Sequence, residues 1–289
     1  MKRLFTLFCA AMLGASCTCP EPLTLRYDAP AEYFEEALPI GNGRIGAMVY
    51  GDPVTDRISL NDITLWTGEP DKGEEHPDFY LSETMTPWGE AASWFEKVRE
   101  ALDNGDYREA DRLQRYVQGH YSENYQPLGS LEITYPEGEI TEYRRLLDIS
   151  DAHAEVTYKK DGKLFKAEYI ASAPDSVIVI RLSSEAPIEA SITLDSQLPH
   201  QTSASGNMLI SDGYAAWHSY PNYYHNFKER FLYDPDRGIH YRTVVSCEGA
   251  AAQEGKLVIS GVKEATIRIV NSTSFAGFDR DPVKEGKEY

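Results

Sequence analysis

The sequence predicts a mainly β protein, a large antiparallel β-sandwich of the supersandwich type with a small helical-hairpin insertion. Three observations carry this. From Leu128 onward, short segments of alternating apolar and polar residues follow one another with turn residues between them, as strands buried on one face do. One stretch, residues 91–118, instead repeats its apolar residues at spacings of three and four, the helical period. Nowhere do strands and helices alternate as βαβ units require, which disfavours a Rossmann or TIM fold.

The elements follow in chain order. Leu23-Thr24-Leu25-Arg26-Tyr27 alternates and reads as a first strand. Glycines at 41, 43, 46 and 51 surround a short apolar core, which fits a tight turn feeding a strand over 45–50. Arg57-Ile58-Ser59-Leu60 alternates again and leads into Asn61-Asp62-Ile63-Thr64-Leu65-Trp66. Trp94, Phe95, Val98, Ala101 and Leu102 form one helical face. Asn104-Gly105 interrupts it, and Tyr107, Ala110, Leu113, Tyr116 and Val117 resume it. Two short helices in a hairpin are expected, packed on the sheet because neither persists alone at that length. Further strands are expected at 131–135, 143–149, 154–159, 164–171, 176–182, 189–195, 208–211, 241–247, 256–259 and 265–270. Lys160-Asp161-Gly162 marks a hairpin between two of them.

The first residues read as a targeting segment. Lys2 and Arg3 precede an apolar run over 4–15, followed by Ser16 and Cys17, the layout of a secretory signal. That run holds 12 residues, against the roughly 20 a membrane helix needs; no later stretch comes close, so a polytopic membrane protein is excluded. Leu13-Gly14-Ala15-Ser16-Cys17 is similar to a bacterial lipoprotein signal, with Cys17 lipidated and the protein tethered to a membrane by that anchor alone. The usual Leu three places before the cysteine stands one place too early, and cleavage near Ser16 to release a free secreted protein is the alternative. The expected layout is a signal over 1–16, a linker over 17–22, the sandwich over 23–278 and the start of a further linker over 279–289. The location implied is the periplasm or the outer surface of a bacterium.

The formal charge is −18, from 28 basic and 46 acidic side chains. Loss of Lys2 and Arg3 with the signal would move it to about −20. Such a surface repels phosphates, so nucleic-acid binding is not expected. Of the four cysteines, Cys247 alone lies in the folded region, within a strand-like run, and reads as a buried, inert thiol. Gly41-Asn42-Gly43-Arg44-Ile45-Gly46 matches a dinucleotide fingerprint in letters, but it precedes a strand instead of opening a helix and reads as a structural turn. The seven histidines show no ligand spacing, so neither a metal nor a cofactor is expected. His218 and His225 are the exceptions to blandness. They lie among Trp217, Tyr220, Tyr223, Tyr224, Phe227 and Phe231, in a loop that suits an interdomain contact better than a sugar platform.

Several segments together resemble the N-terminal signature of glycoside hydrolase family 95. They are residues 30–51 around Gly41-Asn42-Gly43-Arg44-Ile45-Gly46, residues 57–68 around Asn61-Asp62-Ile63-Thr64-Leu65-Trp66, Tyr125-Gln126-Pro127-Leu128-Gly129-Ser130-Leu131, Tyr143-Arg144-Arg145-Leu146-Leu147-Asp148, residues 171–179, and Thr273-Ser274-Phe275. All occur in the family's order. The resemblance implies the N-terminal β-sandwich domain of an inverting hydrolase of α-L-fucosides, with α-L-galactosides as a second substrate class. It also implies that the catalytic groups sit elsewhere: a Glu as general acid, and an Asn assisted by an Asp to activate water, all in an (α/α)6 barrel after the sandwich. Nothing here after Gln118 has the repeated helical pattern of such a barrel, so no catalytic residue is carried over. The expected partner is a fucosylated glycan, met through that barrel or a separate chain bearing it. Asn61, Trp66, Gln126 and Trp217 are the candidates for contact with substrate or with the barrel. The alternative function is a stand-alone surface carbohydrate-binding lipoprotein.

Overall fold

The computed structural model of the chain describes residues 23–70, 91–117, 121–223 and 227–289. The expected signal, Cys17, the 17–22 linker and His225 lie outside the described residues. In chain order the strands are β1 (Thr24–Tyr27), β2 (Leu38–Gly41), β3 (Ile45–Val49), β4 (Thr55–Asp62), β5 (Gly129–Thr134), β6 (Ile140–Asp148), β7 (His153–Lys160) and β8 (Lys163–Ser172). They continue with β9 (Val177–Asp195), β10 (His200–Ser205), β11 (Met208–Tyr214), β12 (His218–Ser219), β13 (Phe231–Leu232), β14 (His240–Glu248), β15 (Ala250–Gln253) and β16 (Lys256–Thr273). Two helices, α1 (Ala91–Asp103) and α2 (Tyr107–Gln114), stand between β4 and β5.

Hydrogen bonding joins fourteen of these strands, every pairing antiparallel, and β12 and β13 form a separate pair. The sheet forms two layers because β9 and β16, 19 and 18 residues long, run through both. The first half of β9 pairs with β8, and its second half pairs with β5. One layer is therefore β1-β6-β7-β8-β9-β16-β14-β11-β10, and the other carries β2-β3-β4-β5 on the far half of β9, with β15 on β16. Between these layers β2 faces β6, β7 and β8, and β15 faces β10 and β11.

The sequence reading breaks each long strand in two. In β9 the cause is Pro187, which has no N–H to give a ladder. It falls in the gap after β9 leaves β8 at Ser184 and before it meets β5 at Ser191. In β16 the register shifts between Ile259, Val262 and Glu264, around Gly261 at φ +75°, a bulge at the bend. Three edge strands lie outside the sequence expectation. β2 contains Pro39, tolerated because β2 pairs with β3 alone; β10 reads His-Gln-Thr-Ser-Ala-Ser, polar but for Ala204; and β15 pairs with β16 alone.

The inward residues of both layers meet in one continuous core that includes Val49, Ile58, Leu131, Ile133, Ile180, Leu182, Ile192, Leu209, Val245 and Ile267. Full burial of each such side chain is worth about 1.5–3 kcal/mol. The helical hairpin forms as expected but does not join this core. Ala101, Ala110 and Leu113 pack with Trp94 and Val98 into a small cluster of their own, and Trp94 stacks on Tyr116 at 4.1 Å. Asp106 caps α2 by accepting from the Glu109 amide at 3.0 Å. Among the described residues, no helix is long and apolar enough to cross a membrane.

Candidate functional site

On the outer face of the β2–β5 layer lies a concave groove of about 760 Å³. Strand alternation builds it. β4 turns Ile58 and Leu60 into the core and Arg57, Ser59 and Asn61 outward, while β3 turns out Gly46 and Met48, and β5 turns out Ser130 and Glu132. Small residues (Gly46, Ser59, Gly129, Ser130) leave the floor low, and Phe34, Ile63, Trp66 and Tyr125 raise the walls. Gly129 has no substitute: its φ is +134°, and a Cβ there would stand 2.3 Å from the Asp195 carbonyl oxygen.

The segments that resemble family 95 converge here. Asn42 closes the β2–β3 turn by accepting from the Arg44 and Ile45 amides at 3.0 and 2.9 Å, a structural use of that glycine-rich run. Asp62, wholly buried, organises the loop after β4. One carboxylate oxygen accepts from the Thr64 amide at 2.9 Å and its hydroxyl at 2.7 Å, and the other accepts from Asn271 Nδ2 at 2.8 Å. The loop then runs antiparallel to the segment before β5, with Trp66 bridged to Tyr125 and the Gln126 amide donating to the Leu65 carbonyl at 3.0 Å. The Trp66 indole N–H donates to the Ile63 carbonyl at 3.0 Å and its ring meets Tyr125 edge-on at 6.5 Å. Both rings stay exposed, at 42% and 44%.

Of the four candidate residues, the structure brings Asn61 and Trp66 together in this groove. Gln126 lies behind the wall, buried, with its Nε2 donating to the Tyr125 carbonyl at 3.3 Å. Trp217 is outside the groove, with the Arg237 guanidinium 3.7 Å over its ring and Arg237 paired in turn with Glu69. Three buried side-chain oxygens of these segments have no hydrogen-bond partner among the described residues: Ser59 Oγ, Asn61 Oδ1 and Gln126 Oε1.

A second polar cluster escapes sequence reading. The fully buried His218 holds Glu123 through Nδ1 at 2.7 Å and the Tyr121 hydroxyl through Nε2 at 3.0 Å. Glu123 also accepts from Thr67 Oγ1 and from the Ser219 amide, and Asn124 donates to Ser219 Oγ at 2.6 Å. Its members lie up to 152 residues apart, so spacing gave no signal beyond the aromatic setting of His218. In the same aromatic loop Tyr220 stacks on Phe227 at 3.7 Å, and Tyr214 stacks on His240.

Other chemical groups are held as structure. Cys247 is buried in β14, and burial pushes its thiol up to about 11, which keeps it protonated and inert. His153, Glu155 and Glu168 present ligand atoms within 4.8 Å of one another, but the Lys166 ammonium already bonds both carboxylates at 2.8 Å. Burial pushes Asp56 up to about 7, although the Tyr169 hydroxyl and the Gly51 amide both donate to it.

The described residues form a two-layer antiparallel sandwich with an open groove on one face, and the comparisons say what such a sandwich is similar to. The family model described as glycosyl hydrolase family 65, N-terminal domain, matches residues 25–277, and the chain belongs to that family of glycoside hydrolase N-terminal domains. The chain is similar to "Alpha-L-fucosidase 2" of Arabidopsis thaliana, 27% identical over 275 residues, which covers 89% of this chain and 31% of the plant protein. It is similar to "Probable alpha-fucosidase A" of Aspergillus niger, 32% identical over 59% of this chain and 21% of that protein. It is also similar to the protein of the same description from Aspergillus oryzae, 24% identical over 86% of this chain and 32% of that one. The chain thus spans a third or less of the length of these relatives. The resemblance drawn from the sequence holds at the level of a glycoside hydrolase N-terminal domain, and the matching model carries the number 65 where the residues suggested 95.

Proposed function

We propose that this chain is the N-terminal domain of an exported α-L-fucosidase-type hydrolase of the family 95 kind, and that it supports a helical barrel carrying the catalytic acid and water-activating groups. The observation that carries this reading is the likeness to an α-L-fucosidase over 89% of the chain. The ordered segments at 30–51, 57–68 and 125–131 add to it, because they are the ones that build the groove wall and floor. Export through the 1–16 signal and lipid attachment at Cys17 belong to the same proposal.

The test is hydrolysis of a 2-linked α-L-fucoside. The purified chain alone is expected to be silent, and the chain combined with a polypeptide carrying the helical barrel is expected to turn substrate over. Turnover by the chain alone, or barrel activity indifferent to its presence, overturns the proposal. Incorporation of labelled palmitate by the wild type but not by Cys17→Ser checks the anchor.

A further inference from the structure

We propose that the groove on the outer face of the β2–β5 layer is a binding site for a neutral pyranosyl sugar. The α-L-fucosyl identity of that sugar rests on the proposed function; the site itself does not.

Four features point to it. The volume, about 760 Å³, falls within the roughly 300–1,000 Å³ of small-ligand sites. Its two wall aromatics are fixed before any ligand arrives. The Trp66 indole N–H is committed to the Ile63 carbonyl and the backbone bridge ties Trp66 to Tyr125, yet both residues stay more than two-fifths exposed on the groove. Rigid aromatic faces stack on the C–H faces of sugar rings at little entropic cost.

The third feature is the polar inventory. Ser59 and Asn61 project from β4 toward the groove, and each holds an oxygen without a partner among the described residues. A buried polar atom left unpaired costs about 1–3 kcal/mol. Rotation of the Ser59 hydroxyl, or of the Asn61 carboxamide, offers that atom to a sugar hydroxyl, which can donate and accept. The fourth is charge. Arg57 lies on the Tyr50 ring and donates to Ser130 Oγ, and Glu132 and Asp195 are the acidic residues of the lining. With one cation against two carboxylates in a chain of charge −18, a sulfated or uronic ligand would be repelled. A packed interdomain contact, the competing use of this face, is depleted of charged groups at its centre, whereas these three charges line the groove itself.

The experiment titrates the full chain with 2′-fucosyllactose, lactose and methyl α-L-fucoside, read by tryptophan fluorescence and by saturation-transfer NMR on the sugar. Saturable binding at millimolar sugar is expected, weakened at least about tenfold in Trp66→Ala and in Tyr125→Ala, with Trp66→Phe retaining most of it. Near-UV circular dichroism shows that each variant is folded. Absence of saturable binding to all three sugars overturns the proposal, as does binding unaltered in a folded Trp66→Ala. Shielding of Trp66 from acrylamide by a barrel polypeptide, with no shielding by sugar, overturns it too and assigns the face to domain contact. Binding of lactose as tight as that of 2′-fucosyllactose upholds the site while counting against the fucosyl reading, and the hydrolysis assay is unaffected by any of these outcomes.

Discussion

The two faces of β4 hold polar groups on opposite terms. Inward, Asp56 receives hydrogen bonds from the Gly51 amide and the Tyr169 hydroxyl, and Asp62 receives three from Thr64 and Asn271. Outward, Ser59 Oγ and Asn61 Oδ1 have no partner among the described residues. The strongly displaced carboxylate, Asp56, is on the inward face, where Tyr135, Tyr143, Tyr158 and Tyr169 surround it and Arg145 fixes the N-terminal segment by donating to the Ala29 and Glu36 carbonyls. A perturbed acid is often taken as the mark of a functional site. In this molecule the perturbed acid is bonded within the core, whereas the two outward oxygens of β4 have no partner among the described residues, a condition the inward Tyr158 hydroxyl shares.

The comparison can be broken from the inward side first. Asp62→Ala strands the Thr64 amide and Asn271 Nδ2 in a dry setting and is expected to lower stability by about 3 kcal/mol, read as a fall in the urea midpoint. A loss no greater than that of a surface substitution would remove the distinction between the faces. Asp56 gives a pH signature. Its folded pKa stands above the unfolded value near 4, so its contribution is full below that pH and is lost as pH rises to about 7. The stability difference between wild type and Asp56→Asn should therefore change across pH 4–7 and be flat above pH 8; a slope that is parallel in both proteins throughout would contradict the assignment.

Outward substitutions sharpen the contrast with smaller effects. Trp66→Ala, at a half-exposed position, is expected to cost no more than about 1 kcal/mol in thermal unfolding while removing sugar binding. Ser59→Ala deletes an unpaired hydroxyl and should leave stability within about 0.5 kcal/mol of wild type, with a gain as acceptable as no change. A loss comparable to that of Asp62→Ala would show the hydroxyl to be bonded after all.

The central strands were legible because alternation survives wherever one face is buried, as in Arg57-Ile58-Ser59-Leu60 or Tyr241 to Cys247. The edges were not, since Pro39 argues against a strand and β10 buries no row of apolar residues. In the candidate site the chemistry of the residues was readable but the phase of the chain was not. The residue types point to Gln126, yet the segment turns Tyr125 outward and Gln126 inward, a one-residue difference that inverts which side chain faces the groove. Trp217 keeps a ring contact with its neighbour His218, and the Arg237 guanidinium that lies over its ring comes from twenty residues on, beyond what its local sequence shows. Pairing of Glu123 with His218 arises only when the sandwich closes.

The sharing of β9 and β16 between layers also governs the order in which the molecule can be made. β16 is the last of the described strands in chain order and supplies pairing to both layers, so a chain shorter than about residue 273 has two open edges and no finished core. Its contacts are dominated by pairings distant in sequence, which close slowly. Both layers therefore stay open until β16 is added, because each draws one of its pairings from it.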